Sequence, residues 1–240
     1  MKPLRCFVKF SKSDEHLMSF PNVTIDASIK AVWPEAALGC LYYAVSVASE
    51  NSALLEYYAN NVEAQLTRQL ATTELADMPN IREGRSAYKA FGANPGRYRI
   101  SSEALYRRLR QGKALYTVNA LVDTNNVISL ETGFSLGSYD MARIENDIVF
   151  RPGIAGESYE GIGKSIIPLE NIPLLADRSG PFGCPTSDST RAMITLESQQ
   201  VLTVLYSFSG NAALDAALSM AERHLTRFCL VTDMQVFKAG

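Results

Sequence analysis

The chain has 240 residues, of which 47% are hydrophobic and 20% charged, with a formal net charge of −2, so it can bury a full globular core. No segment approaches the roughly 18 uninterrupted apolar residues that cross a bilayer, and the N-terminus lacks the apolar stretch of a signal peptide. The expectation is a cytoplasmic protein with no membrane partner. It has no Gly/Ser linker, low-complexity tract or repeat, so residues 1–240 are expected to form one domain.

Residues 4–10 and 23–32 alternate enough to predict strands. Residues 37–47 are a continuous apolar run rich in tyrosine and valine, which predicts a buried strand. Asn51 or Ser52 then caps a long helix reaching about Thr73, with Leu54, Leu55, Tyr58, Val62 and Leu66 as its apolar stripe. A second helix over 80–91 stops at Gly92. The Pro95-Gly96 pair breaks the chain. Ser101 or Ser102 opens a further helix, with Glu103 in its first turn and Gly112 at its end. The stretch 116–131 predicts another helix.

Beyond Phe134 the predicted elements shorten to strands near 134–139, 147–151, 172–176 and 190–196, then 201–208. Asn211 is expected to cap a helix in which Leu214, Leu218, Ala221, Leu225 and Phe228 recur at helical steps. A last strand covers 229–237. Segregated helical and strand-rich regions predict an α+β fold with mixed or antiparallel sheets flanked by helices.

Charge is unevenly spread. Residues 82–113 hold nine basic and two acidic side chains, which leaves 14 basic and 23 acidic elsewhere. Such a segment is either a phosphate-facing surface or a solvated helical face. Arg97 and Arg99, close to Pro95, could pair with carboxylates or with phosphates.

Several chemistries lack a sequence basis. Cys6, Cys40, Cys184 and Cys229 have no metal-site spacing. Cys6, Cys40 and Cys229 are expected as buried thiols, with Cys184 more exposed. His16 and His224 are the only histidines, so neither a His-rich metal site nor a serine triad is supported, and His224 is expected at an exposed helix end. The glycines at 153, 156, 161 and 163 have neither Walker nor Rossmann spacing. No cofactor or metal is expected.

The most informative stretch is 119–140, where Asn119, Asp123, Asn125, Asn126, Glu131 and Asp140 are set among aliphatics. Asn119, Asp123 and Asn126 share one helix face, where they are expected to form a structural hydrogen-bond network. Glu131 and Asp140 are expected to cap or close turns. This stretch resembles the B3/B4 domain of the phenylalanyl-tRNA synthetase beta subunit. The pattern Arg85-x-x-Tyr88-x-x-x-Gly92-x-x-Pro95-x-Arg97-x-Arg99-x-Ser101-x-Glu103-x-Leu105-x-Arg107-Arg108 resembles free-standing proteins of the same kind. The resemblance covers 85–208.

The resemblance implies a B3/B4 fold and hydrolysis of mischarged aminoacyl-tRNA in trans. The family's pocket threonine and histidine fall, by order, at Asn125 and Gly137, and its glutamate has no counterpart in 195–208. Asn125 and Gly137 are the catalytic candidates. Gly133 and Ser138 could offer backbone groups, Asp188 an amino-group contact or a turn cap, and Arg191, Arg97 and Arg99 phosphate contacts. The competing expectation is a non-catalytic module for tRNA or an amino-acid-like metabolite. The sequence leaves the oligomeric state open.

Overall fold

The computed structural model describes residues 20–145, 147–163 and 165–240. Strand β1 (Asn22–Ile25) leads into helix α1 (Ala27–Val32), whose N-cap Asp26 accepts from the Ser28 amide. The strand predicted over 23–32 therefore ends halfway, where the cap turns the chain into a helix. The strand predicted at 4–10 lies outside the described residues. β2 (Ala37–Ser46) is followed by a helix that starts as α2 (Ser52–Tyr57), widens to a π-helix at Tyr58–Glu63 and ends as α3 (Ala64–Thr72). Its N-cap is Asn51, which accepts from the Leu54 amide at 3.0 Å.

Helices α4 (Pro79–Ala90), α5 (Ser101–Arg110) and α6 (Ala120–Thr132) come next. Then follow β3 (Ser135–Asp140), β4 (Asp147–Pro152), the short β5 (Ser158–Glu160) and β6 (Ile166–Pro168), β7 (Pro173–Asp177) and β8 (Gly180–Gly183). β9 (Gln200–Ser207), α7 (Ala212–Phe228) and β10 (Leu230–Ala239) complete the chain. The strand predicted at 190–196 is instead a 3-10 turn, Thr190–Ala192, because the Ser189 hydroxyl caps it at the Arg191 amide. Asn211 has helical backbone angles and makes no side-chain cap.

The architecture is α+β. An antiparallel sheet in the order β10-β2-β9-β3 faces a mixed sheet, β1-β4-β7-β8, in which β1 runs parallel to β4. Alternation along the strands divides the core. Leu41, Tyr43, Val201 and Leu205 pack with Leu214, Leu218, Ala221 and Leu225 of α7 and with Leu121 and Ile128 of α6. Leu38, Cys40, Leu202, Val204 and Tyr206 point the other way, towards Phe150, Leu175 and Phe182 of the second sheet. Gly39 lets α7 approach, since a Cβ there would come within 2.9 Å of Leu218.

Helix α6 is buried on almost every side, with contacts to α5, α7, α2 and β3. Its polar side chains must therefore find partners inside the protein. No helix among the described residues is long and apolar enough to cross a membrane.

Candidate functional site

The middle of β3 has two chemically different faces. Ser138 points towards α6, where its hydroxyl takes a hydrogen bond from the Asn125 amide nitrogen at 2.6 Å and meets Thr203 Oγ1 at 2.5 Å. Thr203 continues the chain to the Tyr43 hydroxyl at 2.7 Å. The Asn125 amide oxygen is buried and has no partner among the described residues.

Gly137 looks the opposite way, into the space between the sheets. A Cβ at position 137 would lie 2.0 Å from the Tyr139 hydroxyl and 3.1 Å from an Asp188 carboxylate oxygen. The same hydroxyl would be 2.2 Å from a Cβ on Gly183. Asn125 and Gly137 thus face opposite sides of one strand, and the space that two glycines leave open is filled by the phenol of Tyr139.

That phenol belongs to a buried polar cluster. It donates to Asp188 at 2.7 Å and meets the Tyr206 hydroxyl. Tyr159 donates to the Ser187 carbonyl at 2.5 Å and contacts Cys184 Sγ at 3.1 Å, while Tyr88 meets Thr186 Oγ1 at 3.0 Å. Burial pushes the phenols of Tyr88, Tyr139, Tyr159 and Tyr206 and the Cys184 thiol upward, so all five groups stay protonated and none is a ready nucleophile. Cys184 is buried, contrary to the exposure expected of it, because the 184–188 loop folds under Tyr159.

The other candidates are dispersed. Arg191 makes a bidentate pair with Asp177 at 3.0 and 2.9 Å and also donates to the carbonyls of Arg143 and Gly180, so its donors are spent inside the fold. Gly133 ends α6 with φ +77, a left-handed cap that a side chain resists. Asn119 is the N-cap of α6, accepting from Val122 at 2.9 Å, and Asp123 accepts from the Val118 amide at 2.9 Å. Asn126 makes no side-chain hydrogen bond among the described residues, so the three do not form a single network.

Asp140 caps the Met141–Arg143 turn and accepts from Ser198 at 2.8 Å. Glu131 neither caps nor closes a turn. It accepts from Tyr57 at 2.8 Å and meets His224 Nε2 at 2.5 Å, which ties α6 to α2 and α7. His224 is accordingly buried, not exposed.

The basic segment folds into a built site. Glu103, whose side chain is 1% exposed, takes Arg85 Nη1 at 3.1 Å on both oxygens and Arg107 Nε at 2.8 Å. Arg99 Nε lies 3.6 Å away, too far for a hydrogen bond, and makes none among the described residues, while Arg99 Nη2 donates to the Gly96 carbonyl at 3.3 Å. Arg110 pairs with Glu74 at 3.3 Å through both terminal nitrogens. Arg85, Arg107 and Arg110 line a cavity of about 280 Å3 together with Glu74, Glu103 and Gln111.

Three guanidinium groups and two carboxylates line this cavity, which leaves one net positive charge. The other terminal nitrogen of Arg85 and both of Arg107 make no further hydrogen bond among the described residues. A buried carboxylate that fixes two arginines while their outer donors stay unspent suits an oxyanion. Arg97 is exposed nearby, its guanidinium 5.1 Å from the Tyr98 ring. Sequence spacing does not by itself single out Arg85, Glu103 and Arg107 as a unit. The spacing Arg99-x3-Glu103-x3-Arg107 carries part of that signal, because such steps share a helix face.

The chain is similar in part to known proteins. Phenylalanine–tRNA ligase beta subunits of Legionella pneumophila, strains Paris and Lens, are 32% and 30% identical over 76 residues, which is 31% of this chain and 10% of theirs. The matched stretch spans about a tenth of the length of these curated relatives. A solved N-terminal fragment of the phenylalanyl-tRNA synthetase beta-subunit from Pyrococcus horikoshii superposes with a TM-score of 0.43 at 13% identity, over 91% of this chain and 50% of that one. The family model of the B3/4 domain matches residues 83–233, well over half of the sequence, and the chain belongs to the B3/4 domain family.

Proposed function

We propose that this chain is an RNA-binding module that holds a tRNA or aminoacyl-tRNA by its phosphates, with the arginine cleft of α4 and α5 as the principal contact. The observation that carries this reading is Glu103: buried, it fixes Arg85 and Arg107 so that their outer N–H groups line an open cavity with net positive charge. Phosphate contacts of this kind supply most of non-specific nucleic-acid affinity. The relatives with detectable identity are named as ligases that act on tRNA, which supports tRNA as the RNA in question.

The same geometry favours binding over ester hydrolysis. Hydrolysis needs a positioned water and a polarised carbonyl in one space. Asn125 and Gly137 face opposite sides of β3, and the Tyr139 phenol fills the space above Gly137. The test has two arms. Fluorescence anisotropy with unacylated tRNA should show saturable binding that weakens steeply as salt rises, whereas a metabolite site would be far less salt-sensitive. Incubation with a panel of mischarged tRNAs should release amino acid at the buffer rate only. Faster release from any of them would restore the hydrolytic reading, and absence of tRNA binding at low salt would end the RNA one.

A further inference from the structure

A second cavity, of about 200 Å3, lies between α2, the π-helix, α6 and the strap 114–117, and shares no residue with the arginine cleft. Its walls are apolar, from Leu54 and Leu55 of α2, Val127 of α6 and Leu115 of the strap. Its ionisable lining is acidic or phenolic: Asp123, Glu63 and the two tyrosines 58 and 116, while the guanidinium of Arg108, outside the lining, stacks 3.8 Å from the Tyr116 ring and donates to the Ala114 carbonyl. Asp123 is only 7% exposed. One of its oxygens holds the Val118 amide at 2.9 Å, and the other makes no hydrogen bond among the described residues. Tethering the strap accounts for the first oxygen and leaves the second unexplained. Tyr58, which lines the cavity from the π-helix, has a buried hydroxyl without a hydrogen-bond partner among the described residues. The π-helix that begins at Tyr58 is a feature often found at functional sites.

We infer that this cavity binds a small organic ammonium ion with an apolar body. An ammonium group meets the spare oxygen of Asp123 in a charge-assisted hydrogen bond, with Glu63 adding to the negative field. An aliphatic body covers Leu54, Leu55 and Val127. A carboxylate ligand would meet like charge, and a wholly apolar one would desolvate Asp123 without compensation. The size suffices, since a dry apolar cavity of about 150 Å3 already holds benzene. The site does not depend on the RNA reading, because it uses none of the same residues.

The test titrates the full chain with hexylamine, 1-hexanol and hexanoate while following amide shifts by NMR. Hexylamine should give saturable shifts at Val118 and Asp123, and the alcohol and acid should not at equal concentration. Asp123→Asn keeps an oxygen for the Val118 amide but loses the charge, and should weaken hexylamine about tenfold. Leu55→Trp, at the half-exposed rim, should block binding while leaving the rest of the spectrum unchanged. No saturable shift with hexylamine, equal shifts with all three ligands, or unchanged affinity in Asp123→Asn would each overturn the assignment.

Discussion

The hydroxyl of Tyr139 sits where a side chain on Gly137 would be, 2.0 Å from the position of its Cβ. The two residues are two apart on β3 and therefore share a face. Gly137 is small because Tyr139 lies across it to reach Asp188 and Tyr206. This relationship predicts that Gly137→Ala destabilises the protein by about 1–3 kcal/mol through overpacking. Tyr139→Phe removes the nearer clashing atom and leaves Cζ at 2.5 Å, so the double variant should be somewhat less destabilised than the two single variants added together. Urea denaturation of all four proteins measures the coupling.

Glu103 is the pivot of the arginine cleft, and its loss should cost more than one interaction. Glu103→Ala strands the partly buried Arg85, releases the exposed Arg107 and is expected to destabilise the fold by about 1–3 kcal/mol. Glu103→Gln keeps an acceptor and should cost less. In both variants tRNA affinity should fall, because the arginines are no longer held. Unchanged affinity in a folded Glu103→Gln protein would show that the orientation of the arginines is unimportant.

Arg191 tests whether an arginine committed to the fold also touches RNA. Its donors go to Asp177, Arg143 and Gly180. Arg191→Ala should lower stability by about 2–3 kcal/mol, because it leaves the buried carboxylate of Asp177 with only the amides of Glu145 and Ser179 and no positive charge. In the folded population tRNA affinity should be unchanged, as measured by anisotropy below the melting temperature.

Asp123 gives a pH dependence with a definite sign. Burial raises its carboxyl above the usual value of 3.8, with the Val118 hydrogen bond opposing. A folded pKa above the unfolded one means that the folded state holds the proton more tightly. The stabilisation from this proton is complete below the unfolded pKa and is lost as pH rises through the folded one. Relative to wild type, Asp123→Asn should therefore gain stability as pH rises above the usual carboxylate value of 3.8. Chemical denaturation at a series of pH values checks this, and a stability of the variant minus that of wild type that falls with rising pH would contradict it.

Much of the secondary structure was legible in the sequence. The stripe Leu214, Leu218, Ala221, Leu225 and Phe228 is the buried face of α7, and the apolar run after Ala36 is the central strand β2. Helix α6 was legible as a helix, but its surroundings were not. It is buried on nearly all sides, so no polar face marks which of its amides and carboxylates pair with what. Arg191 illustrates the limit for single residues. Its partner Asp177 lies 14 residues back across a hairpin, and sequence spacing does not encode that meeting. The filling of the Gly137 space was encoded locally, since the strand period sets Tyr139 on the same face. The arginine cleft was encoded in part, by the four-residue steps from Arg99 to Glu103 to Arg107, whereas Arg85 arrives from another helix.

The most direct test of the RNA reading is the salt dependence of tRNA affinity for wild type, Arg85→Gln, Arg107→Gln and a control, Arg178→Gln. Arg178 is highly exposed and far along the chain, and among the described residues it pairs with Glu145. In the plot of log affinity against log salt, the account predicts that each cleft substitution weakens binding and lowers the slope by about one, while the control leaves both unchanged. Equal slopes in all four proteins, or a loss only in Arg178→Gln, would contradict it.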